Sequence, residues 1–528
     1  MNMRIVALTF LLVAAPVTAQ EAGAGVLTLQ AQAQRALQDG KPDAAVEAYL
    51  ALAQAEPQEA KWVTGAVEAL TRGERFRDAL DLLDTATPRF KDNVELRVLA
   101  AKVNMLRAES LLAGGKRDTH VLFAYEDAAQ VARSVLATHA DNRDARLILA
   151  EAEFSLGNFD AALEAAQEAA KRFPEHPGGH ILIAKIAFQR FVDARQRISN
   201  EAPKGKDLER LATEAAAARK ETTTALDAAI AADPQRAFPH KLLGDVHAWN
   251  DNPGQALLCY GKALGLDAGT PVNHDWLATA AKPAALIELY RKALDDYRAR
   301  PHADVRRTAT TTWYLGKALF QDKQFAKARD QMRAAYAANP DYTNSLYYVW
   351  LASYWLGDHD AAEQEAAQYA RLSAAGFADL LRTLPDRAQT LPVITFLAAR
   401  AFKASRLVQS CALNHVLALV ENSAETWNNY AFLCREVGDH QASLAAYERA
   451  LELEPDSPQI LNDTAVILQY HLTTAENLAR AKAMYERAVT LAQKQLASGT
   501  PDEAATARTE QALKDAQSNL AKMPGAGG

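Results

Sequence analysis

A recurrence of 34 residues constrains the fold of this chain more than any other sequence feature. The recurring pairs are Leu315 and Val349, Gly316 and Trp350, Phe325 and His359, Ala328 and Ala362, and Ala431 and Ala465, each 34 positions apart. Repetition at a fixed period of this length is typical of stacked two-helix units. The composition agrees, because alanine is abundant while Gly (24) and Pro (20) are modest in 528 residues. The sequence therefore predicts an all-α fold.

Three distant segments share one template of a glycine, a small residue, an aromatic residue or alanine, and a proline. The segments are Gly40, Ala45, Tyr49 and Pro57; Gly157, Ala162, Ala166 and Pro174; and Gly438, Ser443, Tyr447 and Pro455. Small residues such as Gly316 and Ala328 let two helices cross closely, whereas proline ends a helix. We expect hairpins that stack and bury a continuous core.

The segments Phe238-Pro-His-Lys-Leu-Leu-Gly, Thr312-Trp-Tyr-Leu-Gly and Trp427-Asn-Asn-Tyr-Ala resemble the tetratricopeptide repeat (TPR) family. The best matches are residues 142–175, 236–268, 309–370 and 424–490. The resemblance implies a right-handed superhelical solenoid of about twelve TPR-like helical hairpins. It also implies that the first helix of each hairpin lines a concave surface that binds partners.

The departures from the repeat predict the organisation of the chain. We expect a signal peptide at 1–19, a linker at 20–26, an N-terminal array at 27–306, a central TPR pair at 307–382, a C-terminal array at 383–498, a capping helix at 499–522 and a disordered tail at 523–528. Two hairpins of the N-terminal array are too long for the period, between Asn104 and Ala140 and between His180 and Pro234. We expect a truncated unit near Pro283 and an irregular link around Thr383 to Pro392.

The first residues are typical of a secretory signal peptide. Arg4 precedes an apolar stretch from Ile5 to Ala15, and Pro16 precedes the small residues before the expected cleavage after Ala19. The stretch is shorter than the roughly 20 apolar residues that span a membrane, so we expect no stable membrane insertion after cleavage. The sequence predicts a periplasmic or secreted protein.

No motif for catalysis, a cofactor or a metal is found in the sequence. The charge is near balance, with 58 Lys and Arg against 65 Asp and Glu, and no basic stripe favours nucleic acid. Glu175, His176 and His180 could offer ligands to a metal, but Pro177 and two glycines favour an ordinary loop. We therefore expect no enzyme activity, no cofactor and no metal.

The three cysteines, Cys259, Cys411 and Cys434, lie in predicted helices among apolar neighbours. The simplest interpretation is a small buried side chain at each position. A disulfide between Cys411 and Cys434 is the alternative in an oxidising compartment. The odd count argues against a disulfide framework.

The TPR template places an aromatic strip on the concave side of two consecutive repeats. Its residues are Trp313, Lys317, Phe320, Tyr347, Leu351 and Tyr354, with Trp355 close by. Aromatic side chains dominate many binding interfaces, so we expect these residues to contact a partner. The alternative is that several of the rings complete the packing between adjacent hairpins.

A second candidate site comprises Asn428, Phe432 and Arg435, with Asn462 in the following repeat. These asparagines resemble those with which some TPR proteins hold a peptide backbone, because an amide both donates and accepts hydrogen bonds. The basic clamp with which the family binds a terminal carboxylate is not reproduced. Solvated surface is the alternative interpretation.

The sequence thus predicts an exported scaffold or adaptor that binds an extended peptide or partner protein on its concave TPR surface. The alternative is a polysaccharide-binding protein of an envelope export system, since the rings of Trp313, Tyr347, Tyr354 and Trp355 could stack on sugars.

Overall fold

A computed structural model describes residues 19–115, 119–384, 387–499 and 502–523 of the chain. These residues contain 25 α-helices, one short 3-10 helix and no strand. The predicted all-α fold is confirmed. The predicted signal peptide up to Thr18, and the tail beyond Met523, lie outside the described residues.

The first of two compact units covers Met1–Asn252. Its helices are α1 (Ala19–Gln38), α2 (Pro42–Ala55), α3 (Ala60–Arg72), α4 (Phe76–Ala86), α5 (Val94–Ala113), α6 (Thr119–Thr138), α7 (Arg143–Ser155), α8 (Phe159–Arg172), α9 (Pro177–Glu201), α10 (Lys206–Ala232) and α11 (Ala237–Trp249). Each helix packs against the next, and α3, α5, α7 and α9 also contact one another in succession. This is the arrangement of hairpins stacked one behind another.

The second unit covers Pro253–Gly528. Its helices are α12 (Pro253–Leu266), α13 (His274–Ala280), α14 (Pro283–Arg298), α15 (Ala309–Gln321), α16 (Phe325–Ala338), α17 (Ser345–Trp355), α18 (His359–Thr383), α19 (Arg387–Lys403), α20 (Leu407–Glu421), α21 (Ala424–Glu436), α22 (His440–Leu453), α23 (Pro458–Tyr470), α24 (Ala475–Ser498) and α25 (Glu503–Ala521), with a 3-10 helix at Val305–Thr308. Hairpins again stack in chain order, and α25 packs on α23 and α24.

Taken in order, the first 24 helices form twelve consecutive pairs, followed by α25. The predicted count of about twelve repeats fits this number. Helices α7 and α8 have 13 and 14 residues, whereas α9 and α10 have 25 and 27. The over-long segments of the sequence are therefore long hairpins, and the seven-residue α13 is the truncated unit.

Two predicted boundaries differ from the structure. The residues of the predicted linker, 20–26, belong to α1. Within the expected irregular link, α19 has already begun at Arg387 and includes Pro392, while Pro385 lies outside the described residues. Proline holds φ near the helical value and removes one N–H, so a packed helix can continue through it. The irregular backbone is instead at Ser373 in α18, where φ is −161° and ψ is 83°.

Small residues stand where the two helices of a hairpin cross, as the template predicts. A Cβ added to Gly316 would lie 3.0 Å from the Cε atom of Met332 on the partner helix. The buried hydroxyl of Ser443 donates to the carbonyl of Ala431 at 2.8 Å, across the hairpin of α21 and α22. In the preceding hairpin, Ser410 donates in the same way to a residue twelve positions earlier. Any larger side chain at these positions would separate the two helices.

We predict that Gly179→Ala destabilises the protein by about 1–3 kcal/mol. The added Cβ would lie 2.5 Å from the backbone nitrogen of Ala170 and 2.9 Å from its Cα, so the backbone of α8 would have to move. Thermal and urea unfolding followed by circular dichroism measures the change. The control is Gly254→Ala, where the new Cβ would meet nothing within 4 Å and the helix should gain slightly. Equal stability of the two variants would contradict the role of close helix crossing.

Candidate partner-binding site

A chain of touching aromatic rings runs through the second unit. Trp313 of α15 packs edge-on against Tyr348 of α17 with ring centroids 5.8 Å apart. Tyr348 lies 5.3 Å from Phe320, which lies 5.2 Å from Phe325 at the start of α16. Edge-to-face pairs at these distances are favourable because the positive ring edge meets the negative ring face. The rings therefore hold the two hairpins of α15 to α18 together.

The chain of rings reaches the surface at the ends of these helices. Phe325 stacks on Trp355 at 6.3 Å, and Trp355 lies 5.4 Å from Tyr354. Tyr354 lies 5.1 Å from His359 and 6.2 Å from Phe396 of α19. Trp355 is 53% exposed and Phe396 is 45% exposed. We call the set Phe320, Phe325, Tyr354, Trp355, His359 and Phe396 the aromatic patch.

The repeat explains why these rings meet. Phe320 and Tyr354 are 34 residues apart, and so are Phe325 and His359. Each of the latter two is the first residue of the second helix in its hairpin, directly after a three-residue turn. Equivalent positions of stacked hairpins lie on the same edge of the stack. The patch therefore follows the edge formed by the turns within the hairpins.

Three residues of the predicted strip are buried in the core. Trp313 is 9% exposed, Tyr347 is 2% exposed and Leu351 is 4% exposed. The hydroxyl of Tyr347 lies 3.3 Å from that of Thr390 on α19. The expectation that these three side chains face an open groove is thus corrected in favour of packing. The reason is that α17 is apolar nearly all round, and a helix of this kind is covered on every side.

The other members of the strip lie nearer the surface. Lys317 is half-buried, with its ammonium 5.4 Å from the centre of the Trp313 ring and 5.7 Å from that of Tyr314. This position is favourable for a cation over aromatic faces. Phe320 and Tyr354 are partly exposed and Trp355 is well exposed, so these three join the patch. The sequence reasoning missed Phe325, His359 and Phe396, of which the 34-residue spacing alone marked the first two.

The second predicted site lies on α21 and is only partly assembled. The Arg435 guanidinium lies 4.9 Å from the centre of the Phe432 ring, which in turn lies 6.3 Å from Phe402 on α19. Phe402 is 47% exposed. The side-chain oxygen of Asn428 is buried and accepts no hydrogen bond from the described residues. Phe402, Phe432 and Arg435 therefore form a smaller surface cluster, and Asn428 keeps an acceptor available.

Asn462 does not join Asn428. It is 5% exposed, accepts a hydrogen bond from Asn519 of α25 at 3.1 Å and donates one to Asp463 at 3.1 Å. Its predicted role in contacting a partner is corrected, because α25 covers this face of α23. Burial also raises the pKa of Asp463 to about 6, although the hydrogen bond from Asn462 and the charge of Arg435 oppose the rise.

The buried end of the ring network contains a neutral histidine. His274 stacks on Tyr314 at 4.2 Å, and its Nδ1 lies 3.0 Å from the hydroxyl of Tyr290. The hydroxyl of Tyr314 donates to Asp275 at 3.1 Å. Burial lowers the pKa of His274 to about 4, against the opposing charge of Asp275. The imidazole is therefore uncharged at pH 7 and serves the packing of α13 to α15.

The described part of the chain offers neither a metal cluster nor a membrane-spanning helix. No three His, Cys, Asp or Glu side chains come together there in a way that could hold a metal ion. None of the described helices has the length and apolar character needed to cross a bilayer.

Family models for the tetratricopeptide repeat match three segments of the chain, residues 31–94, 123–186 and 422–494. The chain contains tetratricopeptide repeats. No curated protein matches the sequence. TPR proteins are generally scaffolds for protein–protein interaction, and the aromatic patch lies within the repeat array rather than in an appended domain.

Several solved structures are similar to this TPR chain. A TPR protein from Parabacteroides merdae ATCC 43184 is 12% identical with a TM-score of 0.33, and the match covers 62% of this chain and 99% of that one. A thermophilic TPR protein of Thermus thermophilus is 16% identical with a TM-score of 0.26, covering 48% and 98%. The APC/C hetero-tetramer Cut9-Hcn1 gives 14% identity and a TM-score of 0.24, covering 92% and 96%. Identification of the repeats rests on the family models and the helix pairs.

We predict that acid weakens the packing around His274. Its pKa is about 6.5 in the unfolded chain and about 4 in the folded one, so its contribution is complete above pH 6.5 and is lost as the pH falls towards 4. The loss amounts to about 3 kcal/mol at full protonation of the unfolded chain. His274→Phe keeps the stacked ring but cannot titrate. Its unfolding midpoint should depend less on pH between 7 and 4 than that of the wild type, and equal dependence would refute the assignment.

Proposed function

We propose that this TPR protein is an exported scaffold that binds an extended segment of a partner protein through the aromatic patch. The observation that carries the proposal is the exposure of Trp355 and Phe396 at the end of a continuous series of packed rings. Aromatic rings offer large contact areas and lose little conformational entropy on binding, which is why they are enriched among binding hot spots. The packed rings beneath keep the exposed ones in fixed orientations.

The spacing of the rings suits an extended peptide. The centroid separations of Phe325 from Trp355 and of Tyr354 from Phe396 are 6.3 and 6.2 Å. Side chains on one face of an extended chain repeat at about 7 Å. A peptide that crosses the edge of the hairpins can therefore place alternate side chains between neighbouring rings. The TPR hairpins supply a series of such edges along the stack.

Asn428 and the cluster of Phe402, Phe432 and Arg435 extend the proposed surface towards α21. A buried amide oxygen that accepts no hydrogen bond from the described residues favours a donor such as a peptide N–H. The exposed ring of Phe402 offers apolar contact close to it in the stack. A partner segment long enough to pass from α17 to α21 would use both areas.

A polysaccharide is the alternative ligand. Trp355 is stacked on Phe325 with an interplanar angle of 21°, and more than half of its surface is open. A flat indole held in this way is suited to stacking on the apolar face of a sugar ring. The two proposals share the same residue and differ in the class of ligand bound.

We predict that Trp355→Ala weakens the binding of peptides selected on the mature chain by at least about 30-fold, the loss of a hot spot of about 2 kcal/mol. Peptides from a random display library, and an oligosaccharide array, are tested with the same protein. Tyr470→Ala is the control, because this ring is 50% exposed but lies outside the patch.

Unchanged peptide affinity in Trp355→Ala, with wild-type helix content, would exclude the patch as the peptide site. Oligosaccharide binding that is lost in Trp355→Ala and kept in Tyr470→Ala would favour the polysaccharide alternative. Circular dichroism confirms that both variants remain folded.

Export is tested separately from binding. In bacterial cells that make the full chain, we expect a processed protein that begins at Gln20 and is released by fractionation of the envelope. Leu12→Arg places a charge in the apolar stretch and should leave the unprocessed protein in the cytoplasm. Intact mass measures the cleavage. A full-length wild-type protein confined to the cytoplasm would overturn the proposed export.

A further inference from the structure

Two cysteines from consecutive hairpins meet in the second unit. Cys411 lies on α20 and Cys434 lies on α21, 23 residues later. Their sulfur atoms are 3.6 Å apart, and both thiols are free. A disulfide bond needs about 2.05 Å between the sulfurs. The two atoms must therefore approach by about 1.5 Å, a distance on the scale of small side-chain rotations.

The two thiols differ in access to solvent. Cys434 is 1% exposed, whereas Cys411 is half-buried. An oxidant from solution can therefore reach Cys411 but not Cys434. This asymmetry assigns different roles to the two sulfurs, one that meets the oxidant and one that resolves the resulting adduct.

The hydrogen bonds around the pair favour a thiolate at Cys434. The thiol of Cys411 and the hydroxyl of Tyr430 both hydrogen-bond to its sulfur and lower its pKa, against the opposing effect of burial. The same contact and burial raise the pKa of Cys411. Tyr430 is held in place by stacking on His415 with ring centroids 4.3 Å apart. Cys411 is thus the proton donor of the pair.

We propose that Cys411 and Cys434 form a reversible disulfide by exchange with an external disulfide, such as a low-molecular-weight oxidised thiol or a dithiol oxidase. The proposal concerns a modification site between hairpins and does not depend on what the aromatic patch binds.

The exchange balances in two steps. The sulfur of Cys411 attacks one sulfur of the external disulfide RSSR as its proton passes to Cys434, giving a mixed disulfide and RS⁻. The sulfur of Cys434 then attacks the sulfur of Cys411, and its proton leaves with the second RS as RSH. The two protein thiol groups are oxidised by two electrons, and RSSR is reduced by the same two electrons.

The product would join two neighbouring hairpins covalently. Helix α20 belongs to the hairpin of α19, and α21 begins the next hairpin. In a stack of repeats each hairpin is held by its neighbours alone, so a link across one interface restrains the position of both. It also closes a loop in the unfolded chain, which stabilises the folded form. The ring contact of Phe402 with Phe432 spans the same two hairpins.

The remaining cysteine provides an internal control. Cys259 lies on α12, and burial raises the pKa of its thiol to about 11. A thiol with so little thiolate at neutral pH exchanges slowly. We therefore expect the oxidant to discriminate between Cys259 and the pair.

The experiment treats the reduced mature chain with oxidised glutathione at neutral pH, then denatures and alkylates it. Of the three thiols in the chain, we expect all three to be alkylated before oxidation and one, Cys259, afterwards. Peptide mapping should show Cys411 linked to Cys434, and a reductant should restore all three thiols. The oxidised chain should unfold at a higher temperature than the reduced chain. Alkylation of all three thiols after oxidation, or a link that involves Cys259, would overturn the proposal.

Serine variants test the two roles. Cys434→Ser should accumulate glutathione on Cys411, because the resolving sulfur is missing, whereas Cys411→Ser should form neither the adduct nor the disulfide. Cys259→Ser should form the disulfide as the wild type does. Glutathione on Cys434 in Cys411→Ser would reverse the assigned roles. The mapping of the wild-type chain decides the proposal even if a serine variant folds poorly.

Discussion

The close approach of two helices at a small residue is the interaction on which the rest of the structure depends. Where Gly316 meets Met332, and where Ser443 donates to the carbonyl of Ala431, no room exists for a larger side chain. This contact fixes the angle within a hairpin, and the faces of the hairpin left apolar must then be covered by its neighbours. A chain with many such hairpins forms one continuous core without any long-range pairing of strands.

The aromatic patch follows from the same geometry. Large rings fill the space between hairpins, and at the turns the stack ends, so that the last rings of each row cannot be covered from both sides. Trp350 is fully buried in the middle of α17, whereas Trp355 at the end of the same helix is 53% exposed. The difference is one of position along the helix, since both residues belong to the same apolar segment. Packing and binding thus use one series of rings.

This also explains what could be predicted from the sequence. The 34-residue spacing indicated the helix pairs, the long hairpins and the truncated unit, because each depends on residues close together in the chain. It did not separate Tyr347 and Leu351 from Tyr354, because all three lie on one helix and their exposure depends on how α18 and α19 cover it. Phe396 joins the patch through a contact with Tyr354 across 42 residues (396 − 354), for which the repeat carries no signal.

The cysteine pair illustrates the same limit from the other side. Its spacing of 23 residues matches no disulfide motif, yet α20 and α21 lie side by side because they end one hairpin and begin the next. In a repeat protein, stability is close to a sum of terms for each unit and each interface between neighbours. A covalent bond at one interface therefore changes that term alone, and its effect on the rest of the stack decreases with distance. The cysteines lie beside the contact of Phe402 with Phe432, so an effect on binding is expected at that cluster before it reaches the aromatic patch.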